Sequence, residues 1–166
     1  MTNLSTSSNK PEQLPLRQPA DHPSLPRWFL GAILAVSFIG FFDAAYLTVQ
    51  HYQQGIVPCI VFEGCEEVLA SKYAQVGGIP TSLIGAIYYL AIFISTLLFV
   101  DRKNPFALKV IGYLPIAGFT VSLFLVYLQI FVIKAICTYC VVSAVSSTIL
   151  FVLGLKVLKF KSKINL

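Results

Sequence analysis

The chain has 166 residues, of which 57% are hydrophobic and only 11% are charged, and its mean hydropathy is +0.79. Soluble domains of this length carry more charge and shorter apolar runs, so the composition favours one membrane-embedded domain. The net charge of +5 does not indicate a nucleic-acid-binding protein, because the basic residues lie beside apolar runs rather than among aromatic residues on a polar face.

Residues 1–26 are rich in Ser, Pro, Asn and Gln and contain almost no large apolar side chains. A segment of this composition cannot bury enough apolar surface to fold, so it is predicted to be a disordered tail. It does not resemble a signal peptide, because the first apolar run begins only at Trp28 and no small-residue cleavage site follows that run.

Four later runs are apolar over the ~20 residues that a helix needs to cross a hydrocarbon core. Backbone polar groups within lipid must pair inside their own segment, so each run is predicted to be a helix. The sequence therefore predicts an all-α membrane protein, a four-transmembrane-helix bundle over residues 27–160. The predicted spans cover residues 28–49, 79–100, 107–133 and 136–158, with Pro80 in the first turn of the second span and Pro115 kinking the third.

The one long loop, residues 51–78, is polar and contains Glu63, Glu66 and Glu67. Acidic residues stabilise the N-terminus of a helix and glycines end one, so we expect a short helix from Glu66 to about Gln75, stopped by the Gly-Gly pair at 77–78.

Basic residues are distributed unevenly between the two sides of a four-span topology. Only Lys72 and Lys134 fall on the side of the long loop. The positive-inside rule therefore predicts that both termini, including the basic tail at 161–166, are cytoplasmic and that every cysteine faces the other side. The ten basic residues on the predicted cytoplasmic side are Lys10, Arg17, Arg27, Arg102, Lys103, Lys109, Lys156, Lys159, Lys161 and Lys163.

The four cysteines form two pairs, Cys59 with Cys65 in the loop and Cys137 with Cys140 as a C-x-x-C at the start of the fourth span. Two disulfides are the default in an oxidising compartment. A purely structural role suits the C-x-x-C poorly, because closing so short a loop gains little entropy. A helix N-terminus stabilises a thiolate, so a redox role is favoured. A four-thiolate zinc site is a further alternative, although the loop spacing is wider than is usual.

Two redox pairs on one membrane face suggest an electron relay with a soluble donor and a terminal acceptor. The sequence contains no G-x-G-x-x-G that would indicate a flavin or nicotinamide site. A lipid-soluble quinone, bound between helices near Cys140, is the acceptor that such a bundle could reach.

The sequence resembles the vitamin K epoxide reductase family in its bacterial form, from the first span to the end of the fourth. DsbB-type quinone reductases contain similar parts, but their C-x-x-C precedes the other cysteine pair. The resemblance rests on an ordered set of motifs: Cys59-x₅-Cys65 followed by Glu66-Glu67-Val68-Leu69, then Ser71-Lys72-Tyr73-Ala74, then Gly78-Ile79-Pro80-Thr81-Ser82-Leu83-Ile84-Gly85, and finally Cys137-Thr138-Tyr139-Cys140-Val141-Val142-Ser143-Ala144.

This resemblance implies a bundle around ubiquinone or menaquinone in a bacterial inner membrane, capped by the loop. Cys59 would accept the attack of a partner's thiolate, Cys65 would attack Cys137, and Cys140 would face the quinone. Many relatives carry a fused thioredoxin-like domain after the last span. Here the sequence ends at Leu166, so the expected partner is a separate periplasmic thioredoxin-fold (DsbA-like) protein.

Several alternatives stay open from the residues alone. Animal relatives have a tyrosine where this chain has Ala144, so quinone reduction is favoured over reduction of a quinone epoxide. A structural tetraspan protein with a disulfide-stapled loop is the non-enzymatic alternative. Asp43, inside the first span, could tune a thiol, relay protons or pair with a Tyr or Ser of a neighbouring helix. Ser82 and Gly85 are expected to serve close helix packing more than quinone contact.

Overall fold

The structure is a computed structural model that describes residues 26–53, 64–102 and 104–164, without the side chains of Glu66 and of residues 161–164. Cys59 and almost all of the predicted N-terminal tail therefore lie outside the described residues. Residues 54–63, the part of the loop that carries Cys59, also lie outside them.

Four long helices dominate the described chain, and each is long and apolar enough to cross a membrane. This confirms the predicted all-α membrane bundle. The third span is α-helical up to Tyr127, and its last six residues, Leu128–Ile133, form a π-helix. The elements are α1 (Arg27–Gln53), α2 (Cys65–Ala70), β1 (Gln75–Val76), β2 (Ile79–Pro80), α3 (Thr81–Arg102), α4 (Pro105–Tyr127), the π-segment (Leu128–Ile133) and α5 (Thr138–Ile164).

The loop helix is shorter than the sequence predicted, because α2 ends at Ala70 rather than near Gln75. Ser71 takes an extended conformation there, and its hydroxyl donates to the Val68 carbonyl at 2.7 Å, which competes with the next helical hydrogen bond. The prediction that Gly77 and Gly78 end the helix was wrong. Both have positive φ, 60° and 82°, and they form the two-residue turn of a β-hairpin.

The hairpin leads directly into the second long helix. Gln75 pairs with Pro80 and Val76 pairs with Ile79 across the two antiparallel strands. The proline is thus the last residue of β2, and α3 begins one residue later, at Thr81. Beyond α3, the side chain of Asn104 accepts a hydrogen bond from the Phe106 N–H at 2.9 Å, so the start of α4 is capped.

Glycines allow the long helices to approach one another closely. A Cβ atom on Gly40 of α1 would lie 2.5 Å from the ring of Tyr89 on α3, and one on Gly112 of α4 would lie 2.5 Å from Leu158 on α5. Small residues at such crossings let the helices gain van der Waals contact in lipid, where the hydrophobic effect does not drive association. The main buried cluster lies around these crossings and includes Ile33, Tyr89, Ile92, Ile111, Leu150 and Val157.

The hydroxyl of Tyr89 joins α3 to α5 within this core. It donates to the Ser143 carbonyl at 2.8 Å and lies 3.0 Å from the hydroxyl oxygens of both Ser143 and Ser147. The ring of Tyr89 therefore packs against Gly40 of α1, and its hydroxyl is hydrogen-bonded to α5.

We expect Tyr89→Phe to lower the free energy of unfolding by about 1 kcal/mol, because interhelical hydrogen bonds in membrane proteins contribute roughly 0.6 and at most about 1.7 kcal/mol. Thermal unfolding in detergent, followed by circular dichroism, measures the loss. Tyr113→Phe is the matched control, since Tyr113 lies on the outside of α4 with 59% of its surface exposed. Equal melting temperatures for the two variants would contradict a stabilising role of the Tyr89 hydroxyl.

Candidate functional site

Cys137 and Cys140 lie at the N-terminus of α5 and both are free thiols. The Cys137 carbonyl accepts the first helical hydrogen bond, from the Val141 N–H at 3.1 Å, so Cys137 occupies the N-cap position. Cys140 lies one turn deeper in the helix. Between them, the ring of Tyr139 packs against Tyr46 of α1 with centroids 5.3 Å apart, and this contact holds the start of α5 to α1.

Hydrogen bonds at the N-terminus of α5 lower the pKa of the Cys137 thiol. Hydrogen bonding from the Cys140 thiol is the largest influence, and the backbone N–H groups of Cys140 and Tyr139 add to it. Burial acts in the opposite direction, but together these groups lower the pKa of Cys137 from 9.0 to about 6. The thiolate is the reactive form of cysteine, so the lowered pKa favours the nucleophilic form of Cys137.

The π-segment places the amide of Gln129 beside both thiols. Its Oε1 lies 3.5 Å from the Cys137 backbone nitrogen, and its side chain also hydrogen-bonds to the Cys140 thiol. Gln129 is 5% exposed, and the chain leaves the π-segment through Lys134, whose φ of 58° is left-handed. Sequence reasoning missed Gln129. The available signal was a lone amide within an apolar span, which is costly in lipid and commonly functional.

Cys65 approaches the C-x-x-C from the loop side. It is disulfide-bonded, 1% exposed, and shares a buried cluster with Cys137, Leu47, Val68 and Ala135. Its bonded sulfur is not available as a thiolate ligand, so the four-thiolate zinc alternative does not describe this arrangement. The structure thus brings Cys65, Cys137 and Cys140 together, whereas Cys59 lies outside the described residues.

Gly64 makes this docking possible. A Cβ atom at this position would lie 2.8 Å from the Ala135 Cβ and 2.9 Å from the Ile136 backbone nitrogen. The loop backbone therefore lies directly against the two residues that precede Cys137. The contacting atoms are the Ala135 Cβ and the Ile136 backbone, so no flexible side chain could move aside to make room for a larger residue at position 64.

A cavity of about 350 Å³ lies within the bundle on the inner side of the C-x-x-C. Cys140 lines it, whereas Cys137 does not. Cavities of this size hold small organic ligands. Most of the wall is apolar and comes from α1, α3, α4 and the π-segment, with Leu47, Ile84, Leu114, Val121, Leu125 and Ile133 among the lining residues.

The cavity wall reaches the outside of the bundle between α3 and α4. Ile84 on α3 and Val121 on α4 line the cavity, yet they are 46% and 52% exposed. Both lie within membrane-spanning helices, so their exposed surface faces lipid rather than water. We therefore expect a hydrophobic ligand to enter the cavity on this side.

The polar groups of the cavity wall fall into two sets. Ser82 is bonded to Thr48 of α1 at 3.1 Å, and Ser143 and Ser147 are bonded to Tyr89. Asp43 and Tyr88 also line the cavity, and Oδ2 of Asp43 and the Tyr88 hydroxyl oxygen are buried without a hydrogen-bond partner. The alternative in which Asp43 pairs with a neighbouring Tyr or Ser is thus not realised at Oδ2.

Two other sequence expectations concern the cavity wall. A Cβ atom on Gly85 would make only ordinary contact with α1, 3.7 Å from the Ala44 Cβ, so this contact does not require a glycine. Ser82 does join two helices through its hydrogen bond with Thr48, and both residues line the cavity. Ala144 lines the cavity as well and presents only a methyl group there.

Comparison with known proteins identifies one family. The sequence model described as "Vitamin K epoxide reductase family" matches residues 31–155, which is most of the chain and includes all four cysteines. A comparison with curated proteins gives no match.

The Cys137 thiolate should form with a midpoint near pH 6, because its hydrogen bonds favour the charged form and the pKa is therefore lowered. Iodoacetamide modification of the reduced protein should stay fast from pH 8 down to about pH 6 and fall below it. Peptide mass spectrometry resolves the site. Cys140→Ala removes the main hydrogen-bond donor to Cys137 and should move the midpoint upward. A midpoint near 9 in the unsubstituted protein would contradict this activation.

Gly64→Ala should separate Cys65 from Cys137 without removing either thiol. In a Cys59→Ala/Cys140→Ala background these two sulfurs remain, and diamide should join them rapidly. The added Cβ should slow this reaction about tenfold or more, because small displacements of reacting groups cost large factors in rate. Gly31→Ala is the control, since its Cβ would meet nothing within 4 Å. Equal rates in both variants would show that the Gly64 contact does not position the pair.

Proposed function

Because the chain belongs to the vitamin K epoxide reductase family, we propose that it oxidises a thioredoxin-fold partner and passes the electrons to a membrane quinone. Members of this family are membrane oxidoreductases with disulfide chemistry, so the protein is a multi-pass membrane oxidoreductase. The donor, the acceptor and the direction of transfer are the parts that we propose.

The observation that carries the proposal is the position of the C-x-x-C between two environments. Cys137 is buried against Cys65, which belongs to the loop, whereas Cys140 lines the cavity. A dithiol placed in this way can exchange with a disulfide on one side and reach an acceptor on the other. A merely structural disulfide requires neither the cavity nor an activated thiol.

The relay begins outside the membrane. A thiolate of the partner attacks Cys59, the Cys59–Cys65 bond breaks, and the second partner thiol closes the partner's own disulfide. Cys65 then attacks Cys137 when Cys137 and Cys140 are oxidised, and Cys140 leaves as a thiolate. Cys59 displaces Cys137 from Cys65, so the loop disulfide forms again and the C-x-x-C holds two electrons. Each exchange breaks one S–S bond and forms another.

The pairing of the described cysteines is the one that the proposal expects after this exchange. Cys65 is disulfide-bonded, and Cys137 and Cys140 are both free. The hydrogen bond from Cys140 and the pKa of about 6 stabilise the Cys137 thiolate, which makes Cys137 a better leaving group in the steps above.

A quinone suits the cavity next to Cys140. The wall is mostly apolar, contains a few polar groups, and includes Ile84 and Val121, whose exposed surfaces face lipid. A quinone accepts two electrons and two protons on reduction. Closing the Cys137–Cys140 bond supplies both electrons and the Cys140 thiol proton, and the second proton comes from solvent, where Cys137 released it on forming its thiolate. Ala144 places only a methyl group at the wall, where animal relatives of the family have a tyrosine. This difference favours quinone reduction over reduction of a quinone epoxide. Ubiquinone and menaquinone are the candidate acceptors.

The distribution of basic residues supports an orientation with both termini in the cytoplasm of a bacterium. The cysteines would then face the periplasm, where disulfides form and persist. The partner is proposed to be a separate periplasmic protein of the DsbA-like type, and the relay would return it to the oxidised state.

Quinone reduction by purified protein tests the proposal. With a reduced thioredoxin-fold oxidase as donor and decylubiquinone or menadione as acceptor, we expect turnover that is lost in Cys137→Ala and Cys140→Ala. Cys59→Ala and Cys65→Ala should also lose turnover with the protein donor. With dithiothreitol they should keep a large part of it, because a small dithiol can reduce the Cys137–Cys140 disulfide directly.

The controls separate an enzyme from a stapled structural protein. Each variant is compared by circular dichroism, so that unfolding is not read as loss of activity. Absence of turnover in the folded wild type, with both donors and both quinones, would favour the structural alternative. Undiminished turnover in Cys137→Ala would contradict the relay as drawn.

A further inference from the structure

Two side-chain atoms in the described part of the chain are buried yet have no hydrogen-bond partner, and both are in the same cavity. They are Oδ2 of Asp43 on α1 and the hydroxyl oxygen of Tyr88 on α3. Leaving a buried polar group unpaired costs roughly 1–3 kcal/mol, so native proteins contain few of them. Two such groups around one cavity indicate that a ligand supplies the missing partners.

The Tyr88 hydroxyl is held in the cavity by the shape of α4. A Cβ atom on Gly118 would overlap the ring and hydroxyl of Tyr88, so the phenol occupies the space that a side chain would otherwise fill. Ser147 lies near enough to Tyr88 to act on its hydroxyl, but it forms its hydrogen bond of 3.0 Å with Tyr89, and no group meets the Tyr88 hydroxyl at hydrogen-bond geometry. The Tyr88 oxygen is thus held beside the cavity without a full partner.

Asp43 stands on another wall of the cavity, close enough to the C-x-x-C to interact electrostatically with Cys137 and Cys140. No Lys or Arg of the described chain lines the cavity, so no cation there provides a partner for this carboxyl group. His51 lines the outer edge and is already engaged with Gln75 at 3.0 Å. The carboxyl group therefore faces the ligand space beside Cys140.

We propose that Asp43 and Tyr88 are the two hydrogen-bond donors that hold the head group of the quinone against Cys140. A quinone presents two carbonyl oxygens on opposite sides of its ring, and both accept hydrogen bonds. Tyr88 donates its hydroxyl proton to one of them, and Asp43 donates the proton that it carries on Oδ2 to the other. This assignment rests on the proposed quinone reduction and adds the residues that bind and orient the acceptor.

This arrangement gives the site a preference for ligands with two opposed acceptors. It also explains why the cavity leaves these two groups unpaired while Ser82, Ser143 and Ser147 are bonded within the protein. Gly118 becomes a positioning residue, because a side chain there would displace the Tyr88 hydroxyl.

The test measures equilibrium binding of decylubiquinone by titration calorimetry, together with the KM and kcat of its reduction. Tyr88→Phe and Asp43→Leu should each raise the Kd about fivefold, because each removes one hydrogen bond worth roughly 1 kcal/mol. Asp43→Asn keeps a donor at this position and should bind within about twofold of wild type. Tyr113→Phe, a lipid-facing control, should change neither constant.

Melting temperatures distinguish a quinone-binding role of Tyr88 from a purely structural one. The Tyr88 hydroxyl has no partner in the protein, so Tyr88→Phe should melt at the wild-type temperature or above it without quinone. Decylubiquinone should stabilise this variant less than it stabilises wild type. A lowered melting temperature without quinone, combined with an unchanged Kd, would assign Tyr88 to the fold and overturn its role here.

The outcomes distinguish this inference from the proposed function. If wild type binds and reduces decylubiquinone, while Tyr88→Phe and Asp43→Leu keep its Kd and KM, the donor pair is wrong and the relay stands. If Asp43→Asn binds as weakly as Asp43→Leu, Asp43 is not a donor. If wild type neither binds nor reduces any quinone tried, the proposed function falls and this assignment falls with it.

Discussion

The start of α5 is the feature on which the site depends. A helix N-terminus carries N–H groups that have no partner within the helix, and here they lie where a membrane span meets the outer loop. Cys137 occupies that end, and its sulfur accepts hydrogen bonds from the Cys140 thiol and from backbone N–H groups. The same helical turn carries Cys140 to the cavity wall. One turn of helix thus gives the two thiols of a C-x-x-C different chemistry and different neighbours.

The surrounding elements hold this turn in place from three directions. Tyr46 contacts Tyr139 from α1, the π-segment presents Gln129, and the Gly64 backbone fits against Ala135 and Ile136 from the loop. A π-helical turn and a left-handed lysine both cost free energy relative to a regular helix. They occur together immediately before Cys137, where they direct an amide toward the thiols instead of continuing the span.

The sequence was sufficient for the four helices, because runs of ~20 apolar residues allow few other structures in lipid. The spacing of Cys137 and Cys140 and their position at a helix start also allowed a redox role to be predicted for them. Prediction failed at the loop helix, since Gly77 and Gly78 suit both a helix stop and a hairpin turn, and the local composition does not decide between them. The roles of Asp43, Tyr88 and Gln129 could not be read from the chain, because they depend on which walls of one cavity these residues share.

Entry between α3 and α4 would determine how a ligand of this cavity is supplied. A molecule that enters past Ile84 and Val121 does not leave the bilayer. Its encounter rate follows lateral diffusion and its mole fraction among the lipids, so its concentration in water is not the relevant variable. Two membranes with equal total amounts of the ligand but different lipid content would load the site differently. Under the proposed function, the protein would therefore respond to the composition of its membrane as well as to the state of its thiols.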